Sequence, residues 1–152
     1  DRVVVRGRVT DVDGSPLAGV VLDCWQNATA GFYACQQPGI QSADNLRGIY
    51  RTGADGRFEI RSVRPVPYPI PYDGPVGSLL KANARNWMRP GHMHVWLKHP
   101  GFKDLITHVF DTESDYLHDD AVFGVRDSLI CAFAPDASGE LTTTFDFVLD
   151  RA

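Results

Sequence analysis

Two histidines separated by one residue are the sharpest chemical feature of the sequence. His92 and His94 flank Met93 at the start of an apolar segment. On a β-strand, residues two apart point to the same face and lie ~6.6 Å apart along the chain. Two imidazoles on one face can bind a single metal ion, while Met93 would point into the opposite layer. The pair alone does not identify the metal, and two histidines without any ligand remain the alternative.

Two tyrosines are the candidates for further metal ligands. Tyr33 and Tyr68 lie in residues 27–45 and 63–75, two long stretches without a strand pattern, and such stretches in a compact domain are often functional. A phenolate is a hard, anionic oxygen donor and is known as an iron ligand in haem proteins. It suits a small trivalent ion better than zinc. The ordinary alternative is a half-buried tyrosine whose hydroxyl bonds a neighbour.

Short β-branched segments separated by turn residues indicate how these residues are held. They predict an all-β fold, a β-sandwich of about eight strands with long active-site loops, in one domain spanning residues 1–152. The sequence Asp13-Gly14 is a hairpin signal between the first two strands. One or two short helices are expected, at residues 76–84 and 114–120. The predicted strands are residues 3–10, 20–25, 49–52, 57–61, 92–97, 105–110, 129–133 and 141–149.

The composition excludes several classes of function. The 152 residues are 43% hydrophobic and 22% charged, with a net charge of −4 and no basic run, which argues against nucleic-acid binding and a polybasic membrane anchor. No apolar run approaches the ~20 residues that span a bilayer. Cys24, Cys35 and Cys131 are an odd number without a Cys-x-x-Cys pair, so we expect buried free thiols in a reducing cytoplasm.

The chain resembles intradiol ring-cleavage dioxygenases, most closely the hydroxyquinol and catechol 1,2-dioxygenase branch. The most specific motif is Arg89-Pro90-Gly91-His92-Met93-His94, and the resemblance extends from about residue 5 to residue 133. The matching segments, in order, are residues 7–11, 14–19, 24–27, 31–33, 45–48, 52–58, 67–77, 89–94, 105–108 and 116–130.

The resemblance implies one non-haem Fe(III) per chain. Its ligands would be Tyr33, Tyr68, His92 and His94, with Tyr68 and His94 axial and the other two equatorial. Tyr68 would leave the iron and accept a proton when substrate binds.

The resemblance also implies roles beside the metal. Arg89 would be an active-site arginine that stabilises negative charge developing on the substrate ring. Ile70 and Pro71 would form the wall of the pocket. His108, where catechol enzymes usually carry glutamine, resembles the hydroxyquinol branch and would contribute to catalysis.

The activity implied by the resemblance is the opening of a catecholic ring between its two hydroxyls with O2. Catechol, hydroxyquinol or substituted catechols would give products of the muconate or maleylacetate type. The substrate and O2 would be the partners, in the cytoplasm, without nucleic acid or membrane. Members of this branch carry a helical dimerisation segment ahead of the first strand that is absent from this sequence, so oligomeric state and substrate range stay open.

Two alternatives come from other classes of protein. The glycine- and proline-containing turns of the first strands also fit a non-catalytic transthyretin-like β-sandwich binding module. A zinc hydrolase using His92, His94 and His108 is the second alternative, provided that the strands carrying these histidines are neighbours.

Overall fold

Twelve short β-strands and one α-helix form the computed structural model, which describes residues 1–152. None of the helical segments has the length and hydrophobicity that a membrane-spanning helix requires. The strands are β1 (Arg2–Asp11), β2 (Val21–Trp25), β3 (Arg47–Arg51), β4 (Arg57–Val63), β5 (Tyr68–Pro69), β6 (Met88–Arg89), β7 (His92–Lys98), β8 (Leu105–Asp111), β9 (Ile130–Cys131), β10 (Ala134–Pro135), β11 (Leu141–Thr144) and β12 (Phe147–Leu149). The helix α1 is Pro75–Ala82, and Ala34–Gln36 and Asp127–Leu129 form 3-10 turns.

The strands form two five-stranded sheets and a small ribbon. In the first sheet β1 pairs antiparallel with β4 and parallel with β11 and then β12, and β10 pairs with β11. The second sheet has the order β3-β2-β7-β8-β9 and is antiparallel except between β8 and β9. The ribbon joins β5 to β6.

The core lies between the two sheets and contains 16 buried hydrophobic residues. Val3 and Val5 of β1 belong to it, as do Met93, Val95 and Leu97 of β7. Because side chains alternate along a strand, the residues between them on β7 point to the other face of the second sheet. The predicted all-β sandwich is therefore confirmed. The twelve strands exceed the expected eight chiefly because four of them have only two residues.

The predicted turn at Asp13-Gly14 forms a short hairpin, with Thr10 and Pro16 in an antiparallel bridge, but it does not pair β1 with β2. In this turn the Gly14 N–H donates to the carbonyl of Asp11 at 3.0 Å, and Gly14 has φ 82°. However, β1 and β2 lie in different sheets, because both edges of β1 are already occupied by β4 and by β11 and β12. The turn carries the chain from one sheet to the other.

The predicted strand over residues 141–149 is interrupted at Phe145 and Asp146. The Phe145 carbonyl lies so close to Gly7 that a Cβ there would be 1.9 Å from its oxygen. At the interruption, the Asp146 Oδ1 accepts the Arg8 N–H at 2.7 Å in place of a backbone carbonyl.

Two further expectations are wrong. Residues 114–120 form turns instead of a helix, and Tyr116 at φ 69° has a left-handed backbone that a right-handed helix does not accommodate. All three cysteines are free, but only Cys24 is buried; Cys35 is exposed and Cys131 is half-buried.

Candidate metal centre and active site

Strand β7 directs His92 and His94 away from the core, as their spacing predicted. Met93 between them is 2% exposed and packs in the core. His92 is itself fully buried, beneath the loops that cover this face of the second sheet. Its Nδ1 donates to the carbonyl of Pro90 at 2.7 Å. This bond fixes the ring orientation and leaves Nε2 as the unprotonated nitrogen.

The ribbon of β5 and β6 brings Tyr68 to the histidines. Tyr68 is directly opposite Arg89 in the ribbon, and Pro90-Gly91 leads from β6 into β7. The backbone that precedes Tyr68 packs directly against Gly91. A Cβ at residue 91 would lie 2.7 Å from the carbonyl oxygen of Pro65, so glycine permits this approach. Tyr68 thus lies in a short strand, with Pro67 before it and Pro69 beside it, and not in an irregular loop.

Tyr33 reaches the same place from the long loop after β2. It immediately precedes the 3-10 turn, and its N–H donates to the Gln36 side chain at 2.8 Å. Two amides at the end of β2 connect this loop to the chain leading to Tyr68. Gln26 Nε2 donates to the carbonyl of Val63 at 3.0 Å, and Asn27 Nδ2 to that of Val66 at 3.1 Å.

Four side-chain atoms meet in a closed ring, here called the donor cluster: Oη of Tyr33, Oη of Tyr68, Nε2 of His92 and Nε2 of His94. The Tyr33 hydroxyl donates to Tyr68 Oη at 2.9 Å and lies 3.0 Å from His94 Nε2. Tyr68 Oη is 3.5 Å from His92 Nε2, which is 3.2 Å from His94 Nε2. The structure thus brings together the four residues predicted as ligands.

The spacing within the donor cluster fits a single metal ion. Neighbouring ligands bonded at ~2.0–2.2 Å with ordinary coordination angles would be ~2.8–3.6 Å apart, and the four adjacent distances are 2.9, 3.0, 3.5 and 3.2 Å. Two nitrogen and two phenolic oxygen donors suit a harder, more highly charged ion than a cysteine-rich site would. The residues present therefore fit the ferric ion that the resemblance implied.

The electrostatics of the site also suit a cation. Burial and then the neighbouring Arg89 lower the pKa of His92 to about 2, and burial and then His108 lower the pKa of His94 to about 3. Both imidazoles are therefore neutral at neutral pH, as an imidazole must be to bind a metal ion. Burial and then the hydrogen bond with Tyr68 raise the pKa of Tyr33 well above its ordinary value. A bound cation would supply the positive charge that a buried phenolate needs.

Arg89 lies beside the donor cluster, as predicted. Its Nη1 is 3.1 Å from His92 Nε2 and donates to Tyr68 Oη at 3.5 Å. It is buried and forms a salt bridge with buried Asp120, whose role the sequence did not indicate. Burial, the largest single effect, lowers the pKa of Arg89, but the hydrogen bond to Asp120 and the interactions with Tyr68 and the Asp120 charge together leave the pKa raised.

The other predicted site residues are placed as follows. His108 on β8 is directly opposite His94, with ring centroids 4.6 Å apart. Burial and then Arg89 lower the pKa of His108. Ile70 is half-buried and Pro71 is exposed in the segment after β5, and their predicted role as a pocket wall stays a prediction.

Trp25 is a site residue that the sequence did not single out. Its ring stacks on His94 with centroids 4.8 Å apart and planes 4° from parallel, and the Arg47 guanidinium lies 5.2 Å from the centroid of Trp25. Trp25 pairs with His94 across β2 and β7. Knowing the register between β2 and β7 would have identified Trp25 as a neighbour of His94, but the sequence does not specify that register.

A cavity of about 300 Å³ adjoins the donor cluster on the side of Tyr33. It is lined by Trp25, Gln26, Tyr33, Ala34, Cys35, Ala43, Asn45 and Arg47. Of the four donor residues only Tyr33 reaches it, so the cavity approaches the cluster from the loop after β2.

The chain is similar in sequence and in fold to several known dioxygenases. The chain is 50% identical over 131 residues to hydroxyquinol 1,2-dioxygenase of Rhizobium sp. (strain MTP-10005), covering 86% of this chain and 44% of that protein. It is 48% identical over 147 residues to 6-chlorohydroxyquinol 1,2-dioxygenase of Cupriavidus pinatubonensis, covering 97% and 53%. The structure of hydroxyquinol 1,2-dioxygenase from Pseudomonas putida DLL-E4 superposes with a TM-score of 0.93 at 41% identity, covering 99% of this chain and 57% of that one.

The chain therefore spans about half the length of these relatives. A family model described as "Dioxygenase" (Dioxygenase_C) matches residues 1–151. From the extent of this match and the identity of its relatives, the chain belongs to the intradiol ring-cleavage dioxygenase family.

Proposed function

We propose that this chain is the catalytic part of an Fe(III)-dependent dioxygenase that opens catecholic rings between their two hydroxyls. The observation that carries the proposal is the donor cluster, in which two tyrosine oxygens and two histidine nitrogens converge with adjacent distances of 2.9–3.5 Å. Tyr33, Tyr68, His92 and His94 would hold one ferric ion per chain.

When bound, the iron would act as a Lewis acid that binds both hydroxyl oxygens of the diol and makes the ring reactive towards O2. The His92 and His94 imidazoles would be its neutral ligands. His92 is held by Pro90 and His94 by the stacked ring of Trp25.

Tyr68 would accept a proton from the substrate at its Oη. Its hydroxyl contacts Tyr33 Oη, His92 Nε2 and Arg89 Nη1 at the centre of the cluster. A tyrosine oxygen at this position would be within reach of a diol hydroxyl bound at the cluster, as a general base must be.

Arg89 would stabilise negative charge on the reacting ring. Its Nη1 points at the edge of the cluster formed by Tyr68 and His92. Because the guanidinium is buried, its interaction with a developing charge is screened less than it would be in water.

The substrate class follows from the relatives, which are named for hydroxyquinol and 6-chlorohydroxyquinol. We infer that this chain acts on catechol, hydroxyquinol or substituted catechols and gives muconate- or maleylacetate-type products. His108 next to His94 would favour hydroxyquinol, and Ile70 and Pro71 would border the ring.

Oxygen uptake and colour test the proposal together. The iron-loaded protein should be red-brown from tyrosinate-to-Fe(III) charge transfer and contain one iron per chain. It should consume O2 with catechol, hydroxyquinol, chlorocatechol or protocatechuate and release ring-opened acids. His94→Ala should lose iron and colour, whereas Tyr50→Phe, on β3, should keep both. A colourless iron-loaded protein, or O2 uptake without a ring-opened product, would contradict the assignment.

A three-histidine zinc site is the second candidate, because His92, His94 and His108 have nitrogen atoms within 4.8 Å of one another. Such a site would use neither tyrosine. Metal analysis of the purified protein and of His108→Ala separates the two: a zinc site needs His108, whereas the proposed iron site keeps its metal without it. Membership of the dioxygenase family argues against the transthyretin-like binding module.

A further inference from the structure

A buried salt bridge lies directly behind the arginine of the proposed active site. Arg89 Nε donates to Asp120 Oδ1 at 3.0 Å, and Arg89 Nη2 donates to Asp120 Oδ2 at 3.3 Å. The side chains are 7% and 2% exposed, respectively. Two parallel bonds to a carboxylate fix both the position and the plane of a guanidinium.

Asp120 is itself held rigidly. Its Oδ1 accepts the Val122 N–H at 3.3 Å, and its Oδ2 accepts the Gly124 N–H at 2.8 Å. The Ala121 N–H donates to the carbonyl of Met88 at 3.0 Å, which attaches the loop to the strand that carries Arg89. The carboxylate thus accepts four N–H groups and is fixed relative to β6.

This arrangement leaves one nitrogen of Arg89 facing the donor cluster. Asp120 occupies Nε and Nη2, and Nη1 is directed towards Tyr68 and His92. We propose that Asp120 is a positioning residue that holds Arg89 Nη1 at the edge of the active site, an inference that rests on the proposed function.

The charge of Asp120 explains why a buried arginine can lie beside donors that would hold a cation. A buried cation needs a paired and hydrogen-bonded anion. Without Asp120, the guanidinium would be repelled by a ferric ion and would turn towards solvent. Asp120 therefore keeps the guanidinium close to the proposed substrate site. Its carboxylate neutralises the positive charge from the side of Arg89 that faces away from the donor cluster.

Asp120→Asn is the sharpest variant because it has the same shape. Asparagine has one acceptor oxygen where the carboxylate has two, so its NH₂ group would face N–H donors. We expect kcat to fall by about 10- to 100-fold, as for a misplaced catalytic group. KM should change by less than about threefold, because the lost interaction is with charge that develops in the transition state. Iron content and colour should stay as in the wild type. Exposed Asp115 lies on the same loop, and Asp115→Asn is the matched control.

Gly124→Ala tests the same position without changing any charge. A Cβ at residue 124 would lie 2.9 Å from Arg89 Nη2 and 3.0 Å from Asp120 Oδ2. It should displace the pair and lower kcat in the same direction as Asp120→Asn, and unchanged kinetics would count against positioning.

A double-mutant cycle with Arg89→Met decides whether Asp120 acts through Arg89. In the Arg89→Met background, Asp120→Asn should lower kcat by less than about threefold further, because the group it positions is gone. Full additivity would overturn the inference.

Crystal structures make the test independent of activity. If the wild type neither binds iron nor opens catechols, the proposed function fails. The structure of Asp120→Asn still tests Asp120: an Arg89 side chain that has moved away from Tyr68 and His92 supports positioning, and an unmoved one overturns it.

Discussion

Replacing Tyr68 with phenylalanine removes one oxygen from the donor cluster and leaves the aromatic ring in place. In the proposed reaction this oxygen is both an iron ligand and the acceptor of a substrate proton. Proton transfer by a positioned side chain typically contributes 10²–10⁴-fold to a rate, so kcat of Tyr68→Phe should fall by about that factor. Some iron should remain, since three of the four donors are unchanged.

The fold should tolerate this change. The Tyr33 hydroxyl loses its acceptor at 2.9 Å but keeps His94 Nε2 at 3.0 Å. The contacts of Tyr68 Oη with His92 Nε2 and Arg89 Nη1 are long, both at 3.5 Å, so the short bond from Tyr33 dominates the loss. Losing one hydrogen bond costs about 0.5–1.5 kcal/mol, and the free energy of unfolding should drop by about that amount. A large loss of activity with a small loss of stability would separate a chemical role from a structural one.

The assay measures O2 uptake with catechol and hydroxyquinol after each protein has been loaded with Fe(III). Iron per chain, the visible charge-transfer band and urea unfolding are measured on the same samples. Tyr50→Phe serves as the control and should match the wild type. If Tyr68→Phe, with its iron restored, turns over at the wild-type rate, the proposed role of Tyr68 is wrong.

Four further measurements test other parts of the structure. Removing iron with a chelator should abolish the colour and lower Tm by about 5–10 °C. A ligand present at ~100 Kd contributes ~2.7 kcal/mol of stability, and 1 kcal/mol shifts Tm by ~2–4 °C in a chain of this size. An unchanged Tm would argue against a metal bound to the folded state. Arg64→Ala should lower the unfolding free energy by about 1.5–3 kcal/mol, as for hydrogen bonds to a charged group, because it leaves the Asp111 carboxylate, 3% exposed, without its cation; urea unfolding measures this. Replacing Cys24, Cys35 and Cys131 with alanine should preserve colour and turnover, and loss of iron would show that a thiol is needed. Values of kcat/KM across five or six catechols should agree within roughly 100-fold, as an apolar pocket allows, whereas a preference above ~10⁴ would require a dedicated polar contact.

Local patterns predicted much of the fold. The strands around His92 and Leu105 were expected within one residue of their observed ends, because alternating apolar residues specify a strand wherever it pairs. Residues 141–149 were predicted as one strand because alternation continues through Phe145. Their interruption lies against Gly7, which is distant in sequence and reveals its close contact only in the folded chain.

The sequence by itself determined which donors are present and that two of them share a face. His92 and His94 are two residues apart on a strand, and the direction of such side chains is a property of the local backbone. The type of each group is equally a property of the sequence, so two imidazoles and two phenols could be identified as candidate ligands before their positions were known.

Only the tertiary structure decided how these donors are oriented and supported. Asp120 and Arg89 are 31 residues apart in the chain, and Trp25 reaches His94 through the pairing of β2 with β7. Neither pairing leaves a periodic signal, because contacts between distant segments depend on strand register and loop path. Asp120 lies in a loop without any local pattern. It can therefore be recognised as the partner of Arg89 only when both segments are folded together.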